Sequence, residues 1–166
     1  RRSSSAASDV YKRQDSSGKA AVGHGYTYSG HPVGAAAALA AIAETRRLDV
    51  VTNAAARGTQ LYDGMVSLAG QYPMVGDVRG GHGLMTAMEL VADQETKAPI
   101  DGKLAIKMQK AAYQAGALIR VSGPNVILSP SLVIEEADID TALNAVEEGL
   151  KAVSYTHLRA HETPVN

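Results

Sequence analysis

The sequence predicts an α/β chain whose main part is an α+β domain: an antiparallel sheet with helices on one face, preceded by an Ala-rich helix. Past two opening helices, the apolar periods run strand, strand, helix, strand, strand, helix, an order that pairs neighbouring strands antiparallel. No Gly-x-Gly-x-x-Gly run joins a strand to a helix, so a dinucleotide-binding parallel sheet is not indicated. With 166 residues, 45% of them hydrophobic and 20% charged, the chain is long enough to bury one core.

Each element has its own signal. Residues 15–23 read as loop, and His24 to Gly30 as a polar-aromatic turn between glycines. Pro32 suits a first helical position, where its missing N–H costs nothing. A helix follows to Leu48, nearly all Ala at first, so buried on most faces at its start and surfacing at Glu44, Arg46 and Arg47. A second helix is expected over Asp49 to Ala69, with Val51, Ala55, Tyr62, Met65 and Leu68 at helical spacing, Gly70 just past its end and Pro73 beyond. Met74 to Arg79 and Leu84 to Ala92 read as strands around a tight Gly80–Gly83 turn. Asp93 to Asp101 is a loop. Gly102 to Ala115 is the next helix, with Leu104, Met108 and Ala111 on one face and Gly116 as its cap. Ala117 to Val121 and Val126 to Ser129 are strands joined by a Ser122–Asn125 turn. Ile139, Leu143, Val146 and Leu150 mark the buried stripe of a last helix over Glu135 to Lys151. Glu135 stands where a Ser or Thr cap is usual, which weakens that start without losing it.

Both ends depart from this pattern. Residues 1–14 are rich in Ser, Ala and Arg, and residues 153–166 carry two of the five histidines and break the preceding helical period. The strings SDVYKRQ and VSYTHLRAHET resemble translated adaptor or vector sequence; native disordered tails are the alternative. Residues 15–152 are therefore read as the folded part.

Composition excludes several function classes. A net charge of -1, with no run of Lys and Arg interleaved with aromatics, argues against nucleic acid. The absence of Cys removes disulfides, thiolate nucleophiles and cysteine zinc sites, which suits a cytoplasmic setting. Phe and Trp are absent too, so Leu, Val, Ile, Met and Ala must build the core. The longest apolar stretch, Val33 to Ala43, falls far below the roughly 18 residues of a membrane span, and no apolar run follows the two N-terminal arginines.

The segment that carries chemistry is His24-Gly25-Tyr26-Thr27-Tyr28-Ser29-Gly30-His31-Pro32. Hydroxyls and free N–H groups gather just before a helix N-terminus, where partial positive charge favours an anion. The glycines let the backbone approach a ligand, and Thr27 is the best side-chain donor for a phosphate. Read without further context, a Ser/Thr run before a Pro-initiated helix is usually a helix cap and nothing more. Arg120 offers a planar fork for a carboxylate, against a structural ion pair at a strand end. Arg79 reads as structural, holding the turn before Gly80. His24, His31 and His82 fit no common ligand spacing, so no metal site is expected.

HGYTYSGHP before an Ala-rich helix resembles the class III pyridoxal-phosphate-dependent aminotransferases, notably the omega-transaminases. The resemblance continues in order through Gly76-Asp77-Val78-Arg79-Gly80, Gly83-Leu84-Met85, Glu89-Leu90-Val91, Leu118-Ile119-Arg120, Ile127-Leu128-Ser129-Pro130 and Leu132-Val133-Ile134, covering essentially residues 24–151. It implies the C-terminal part of a fold type I transferase. Residues 15–48 would then be the end of a large cofactor domain and its linking helix, and 49–152 a small domain. In that family the HGYTYSG segment lies at a homodimer interface. Thr27 then matches a contact to the phosphate of pyridoxal 5'-phosphate held by the other subunit, and Tyr26 a backbone neighbour. Arg120 matches an arginine that swings to bind a substrate carboxylate and away for an uncharged amine. The implied substrates are an amine or amino acid and a keto acid.

The same resemblance places the Schiff-base lysine and the acid at the pyridine nitrogen upstream of His24. Lys19 lies too near Thr27 to substitute, and Lys103, Lys107 and Lys110 fall on one helix as solvent-facing charge. No catalytic residue is therefore assigned, and the chain alone is expected to be inactive and poorly folded. A free-standing α+β module binding a phosphate ligand or a partner is the competing reading. Such a module should open with a polar helix, whereas Val33 to Ala43 is apolar nearly all round.

Overall fold

A computed structural model describes Gly25 and residues 27–161, with side chains followed as far as Ser154. The chain forms two compact units, Arg1–Ala43 and Glu44–Asn166.

In the first unit, Tyr28 to His31 make a turn closed by the His31 N–H donating to the Tyr28 carbonyl at 3.1 Å. Gly30 takes the third position at φ +76, a left-handed conformation that glycine adopts without a side-chain penalty. Helix α1 (Pro32–Arg47) starts directly after it. None of its residues is buried within this chain, in contrast to the burial expected of its Ala-rich start. Alanine holds it helical by propensity alone, and Glu44 and Arg47 add a 2.6 Å ion pair in its last turn.

The second unit contains helices α2 (Val50–Gln71), α3 (Gly102–Gln114) and α4 (Glu136–His161), with strands β1 (Val75–Arg79), β2 (Thr86–Leu90), β3 (Arg120–Ser122) and β4 (Asn125–Leu128). The strands form one antiparallel sheet in the order β1-β2-β4-β3. Helices α2 and α3 each pack on α4, and both lie against the sheet. On the covered face β2 buries Thr86, Met88 and Leu90, and β4 buries Val126 and Leu128, the period-two alternation of a half-covered sheet. The opposite face carries Arg79, Glu89, Asn125, Ile127 and Arg120. The expected α+β arrangement with helices on one face is thus present.

Several boundaries differ from the sequence expectation, each for a physical reason. Helix α2 runs through Gly70 and stops at Gln71, because Tyr72, held extended before Pro73, cannot continue it. Its buried stripe is Val50, Gly58, Leu61, Met65 and Leu68, whereas Val51 is 74% exposed. The stripe was hidden by Gly58, which is buried because its backbone lies against Gly83; a methyl there would overlap the Gly83 carbonyl. Strand β3 begins at Arg120, three residues later than expected, and pairs with β4 through a two-residue Gly123-Pro124 turn. Gly123 has φ +58 while Pro124 is confined to negative φ, which leaves the II′ hairpin turn. Helix α4 does not break at 153: Val153 is fully buried and continues the stripe of Ile139, Val146 and Leu150.

Candidate functional site

The turn before α1 is shaped by its own residues. His31 acts as the cap, its Nδ1 accepting the Gly34 N–H at 3.5 Å, while its ring meets Tyr28 edge-on at 6.1 Å. The Gly34 N–H is thereby occupied, and Pro32 has none to offer. The Thr27 hydroxyl is exposed and has no hydrogen-bond partner among the described residues. Side chains built at Gly25 and Gly30 would meet nothing within 4 Å, so the backbone on either side of Thr27 is open to an incoming group. The turn therefore fits one contact to a phosphate, through Thr27, with the remaining phosphate ligands supplied from elsewhere. Tyr26, His24 and Lys19 lie outside the described residues.

Arg120 belongs to the second unit. It opens β3 opposite Ile127, and its guanidinium is exposed with no ion pair among the described residues. It lines a groove of about 320 Å³ with Leu61, Leu118, Ser129, Ile134 and Asp138. Leu118 beside it is 81% exposed. An unpaired planar cation at the edge of an apolar groove is what a carboxylate ligand requires.

Arg79 is tied down instead. Its guanidinium donates to Asp77 at 3.0 Å, to Glu89 at 2.9 Å and to Asn125 at 2.6 Å, clamping β1, β2 and β4 on the open face. The Glu89 hydrogen bond pushes its pKa above the usual arginine value. Its expected structural role stands, but the strands, not the turn, are what it holds. Glycines at φ +153, +84 and +89 shape that turn, at Gly80, Gly81 and Gly83. Lys103, Lys107 and Lys110 are exposed along α3. Among the described residues no three His, Asp or Glu side chains gather as metal ligands. Asp138 was not singled out in the sequence. Its place in Glu135-Glu136-Ala137-Asp138 gave only the signal of a helix start, where acids are common.

A family model described as aminotransferase class-III matches residues 4–150. The chain belongs to the class III aminotransferases. A taurine–pyruvate aminotransferase of Bilophila wadsworthia is 37% identical over 134 residues, covering 76% of this chain and 29% of the relative. An uncharacterized aminotransferase of Sinorhizobium fredii is 37% identical over 137 residues, covering 80% and 29%. Among solved structures, a PLP-bound amine transaminase from an uncultivated Pseudomonas species superposes with a TM-score of 0.72 at 39% identity, covering 78% of this chain and 30% of that one. This aminotransferase chain thus spans about 30% of the length of its relatives. Its sheet and helices match a piece of the fold type I transaminase architecture, and pyridoxal phosphate is the cofactor that goes with the family.

Proposed function

We propose that the chain is part of a homodimeric, cytoplasmic aminotransferase that moves an amino group from an amine or amino acid to a keto acid. In this reading residues 15–48 close a large domain and link it to a small domain over 49–152, whose core Val153 extends. The observation that carries the reading is Arg120, an exposed guanidinium left unpaired at an apolar groove, within a chain matched by the family over residues 4–150. The fully exposed α1, with Val33, Leu39 and Ile42 open to solvent, supports a surface meant to be covered by more of the enzyme.

When bound, pyridoxal phosphate supplies an electron sink for the carbon that loses or gains the amino group. This chain's residues would bind and orient. Thr27 donates its hydroxyl to the phosphate across the dimer interface, with Tyr26 beside it. Arg120 receives the substrate carboxylate in a two-point hydrogen-bonded pair that fixes the orientation of the reacting carbon.

The test is the complete protein assayed with pyridoxal phosphate. Arg120→Leu is expected to raise KM for a carboxylate-bearing donor by roughly 10- to 100-fold, the loss of hydrogen bonds to a charged group. KM for a donor without a carboxylate should stay within about twofold. A complete protein that transfers no amino group overturns the reading. The chain on its own should give no specific adduct when pyridoxal phosphate and borohydride are added; a single adduct at Lys19 would show that this lysine was wrongly rejected.

A further inference from the structure

In the sheet order β1 and β3 are the edge strands, each paired on one side only. A strand edge presents unpaired N–H and C=O groups, a template for pairing with a second chain. At β3 helix α3 lies alongside, and its Gln109 donates to the Ile119 carbonyl, one residue before the strand, at 2.8 Å. At β1 the loop after β2 takes that place. The Gln94 amide donates to the carbonyls of Pro73 at 2.8 Å and Val75 at 2.6 Å. The Met74 carbonyl between them turns the other way and accepts the Val91 N–H at 2.7 Å. Lys97 continues along the strand, its ammonium donating to the Gly76 carbonyl at 3.1 Å and to Gln94 Oε1 at 2.7 Å. The loop is shaped to hold these two side chains there. The Asp93 carboxylate accepts both the Thr96 N–H and the Thr96 hydroxyl at 2.7 Å, closing a tight turn. Lys97 follows at φ +54, a left-handed backbone that residues with a side chain rarely adopt. Glycine would take that conformation freely, but it has no amine to lay on the Gly76 carbonyl.

We propose that the loop from Asp93 to Lys97 is a strap that closes the β1 edge against the β1 edge of a second copy of this protein. Gln94 and Lys97 fill, with donors from their own chain, the acceptors that an added strand would need. The second copy is the occupant that an opened edge would admit, because β1 is complementary to itself. Two β1 strands laid antiparallel about Val78 bring Asp77 of each opposite Arg79 of the other. These residues are half exposed and already paired within the chain, so the two pairs would meet in alternating charge. The same register carries Gly80 and Gly81 of one copy to Gly76 and Val75 of the other, where Lys97 and Gln94 lie. Glycines bring no side chain to clash at that point, so the strap is what obstructs the approach. The β-bulge at Gly76, where the register shifts between Val75 and Asp77, adds a second obstacle by bending the edge.

The experiment uses the complete protein in its parent form, as Gln94→Ala/Lys97→Ala, as Gln94→Glu and as Glu95→Ala. Gln94→Glu keeps the length of the side chain but sets an acceptor against two carbonyls. Glu95→Ala is the control, a change in the same loop that removes none of these side-chain donors. Sedimentation velocity over a concentration series reads the mass. Species of twice the parent's mass should appear in both opening variants at a concentration roughly tenfold lower than in the parent, the scale of freed carbonyls each gaining a hydrogen bond. Glu95→Ala should behave as the parent. Hydrogen exchange locates the contact: the amides of residues 77–79 should exchange more slowly in the associated species, because the added strand pairs them. If the double variant does not fold, Gln94→Glu alone decides. A folded Gln94→Glu protein that keeps the parent's mass at every concentration overturns the proposal. Association with unchanged exchange over residues 77–79 also overturns it, because the contact then lies on another surface. Loss of the fold in both opening variants does the same, since the loop would then be holding the sheet together rather than guarding its edge.

Discussion

Replacing Gly58 with alanine sets helix propensity against packing, and the structure decides the sign. In the middle of α2, Gly→Ala should by propensity alone stabilise the helix by about 0.8–1 kcal/mol. At Gly58, however, the new methyl would overlap the carbonyl oxygen, carbonyl carbon and Cα of Gly83. These are backbone atoms of a loop already bent through positive φ, so the neighbour cannot rotate away as a side-chain end could. Overpacking of this kind costs about 1–3 kcal/mol, and backbone resistance places it toward the upper end. The net expectation is a loss of about 1–2 kcal/mol. Gly70→Ala is the internal control: it lies in the same helix, a methyl there meets nothing within 4 Å, and it should be neutral to stabilising by up to about 1 kcal/mol. Urea unfolding reads both. With a slope of about 2 kcal/mol per molar, the midpoint should fall by about 0.5–1 M for Gly58→Ala and hold or rise for Gly70→Ala. If both variants shift the midpoint upward, the close approach of α2 to the Gly83 loop is not as tight as described.

Other consequences can be checked in the same way. Thr86 is fully buried and its hydroxyl has no partner, so Thr86→Val, nearly equal in shape, should raise stability by about 1 kcal/mol in the same assay. Asp101 caps α3 by accepting the Lys103 N–H at 2.9 Å, and Asp101→Ala should cost about 1 kcal/mol. Burial and the Glu147 carboxylate, which accepts the Tyr72 hydroxyl at 3.3 Å, push the Tyr72 pKa above its ordinary value of 10.0. The folded state therefore keeps that proton where the unfolded chain has lost it. The corresponding stability is complete below about pH 10 and declines as pH rises through the folded value. Tyr72→Phe should flatten this alkaline decline, seen as a smaller change in urea midpoint between pH 9 and 11.

The element order, the helices on one face and the turn before Pro32 were legible because each has a short-range cause: period-two burial, apolar spacing, or glycine and proline at fixed places. What escaped reading depends on contacts distant in sequence. Gly58 joins the buried stripe only because Gly83 comes to lie against it, and a pattern of large apolar residues passes over such a position. Val153 extends α4 because its own stripe still finds the core, although the residues after it are polar and carry histidines. Arg79 and Arg120 are both arginines near strand ends in the sequence. They separate only when the sheet brings Glu89 and Asn125 to one and leaves the other beside a groove. Asp138 was hidden in a run of acids that any helix start would carry.

The strand order also determines when the parts of the sheet can assemble. The β1–β2 and β3–β4 pairs are hairpins between near neighbours. The central seam joins Thr86–Leu90 to Asn125–Leu128, and its closure spans all of α3. Loop-closure entropy makes that seam the costly contact, so folding should wait on α3 docking between two hairpins already formed. Conservative truncations at Met88 or Val126 would then slow folding, whereas changes confined to the Gly123-Pro124 turn would act on the earlier, local step.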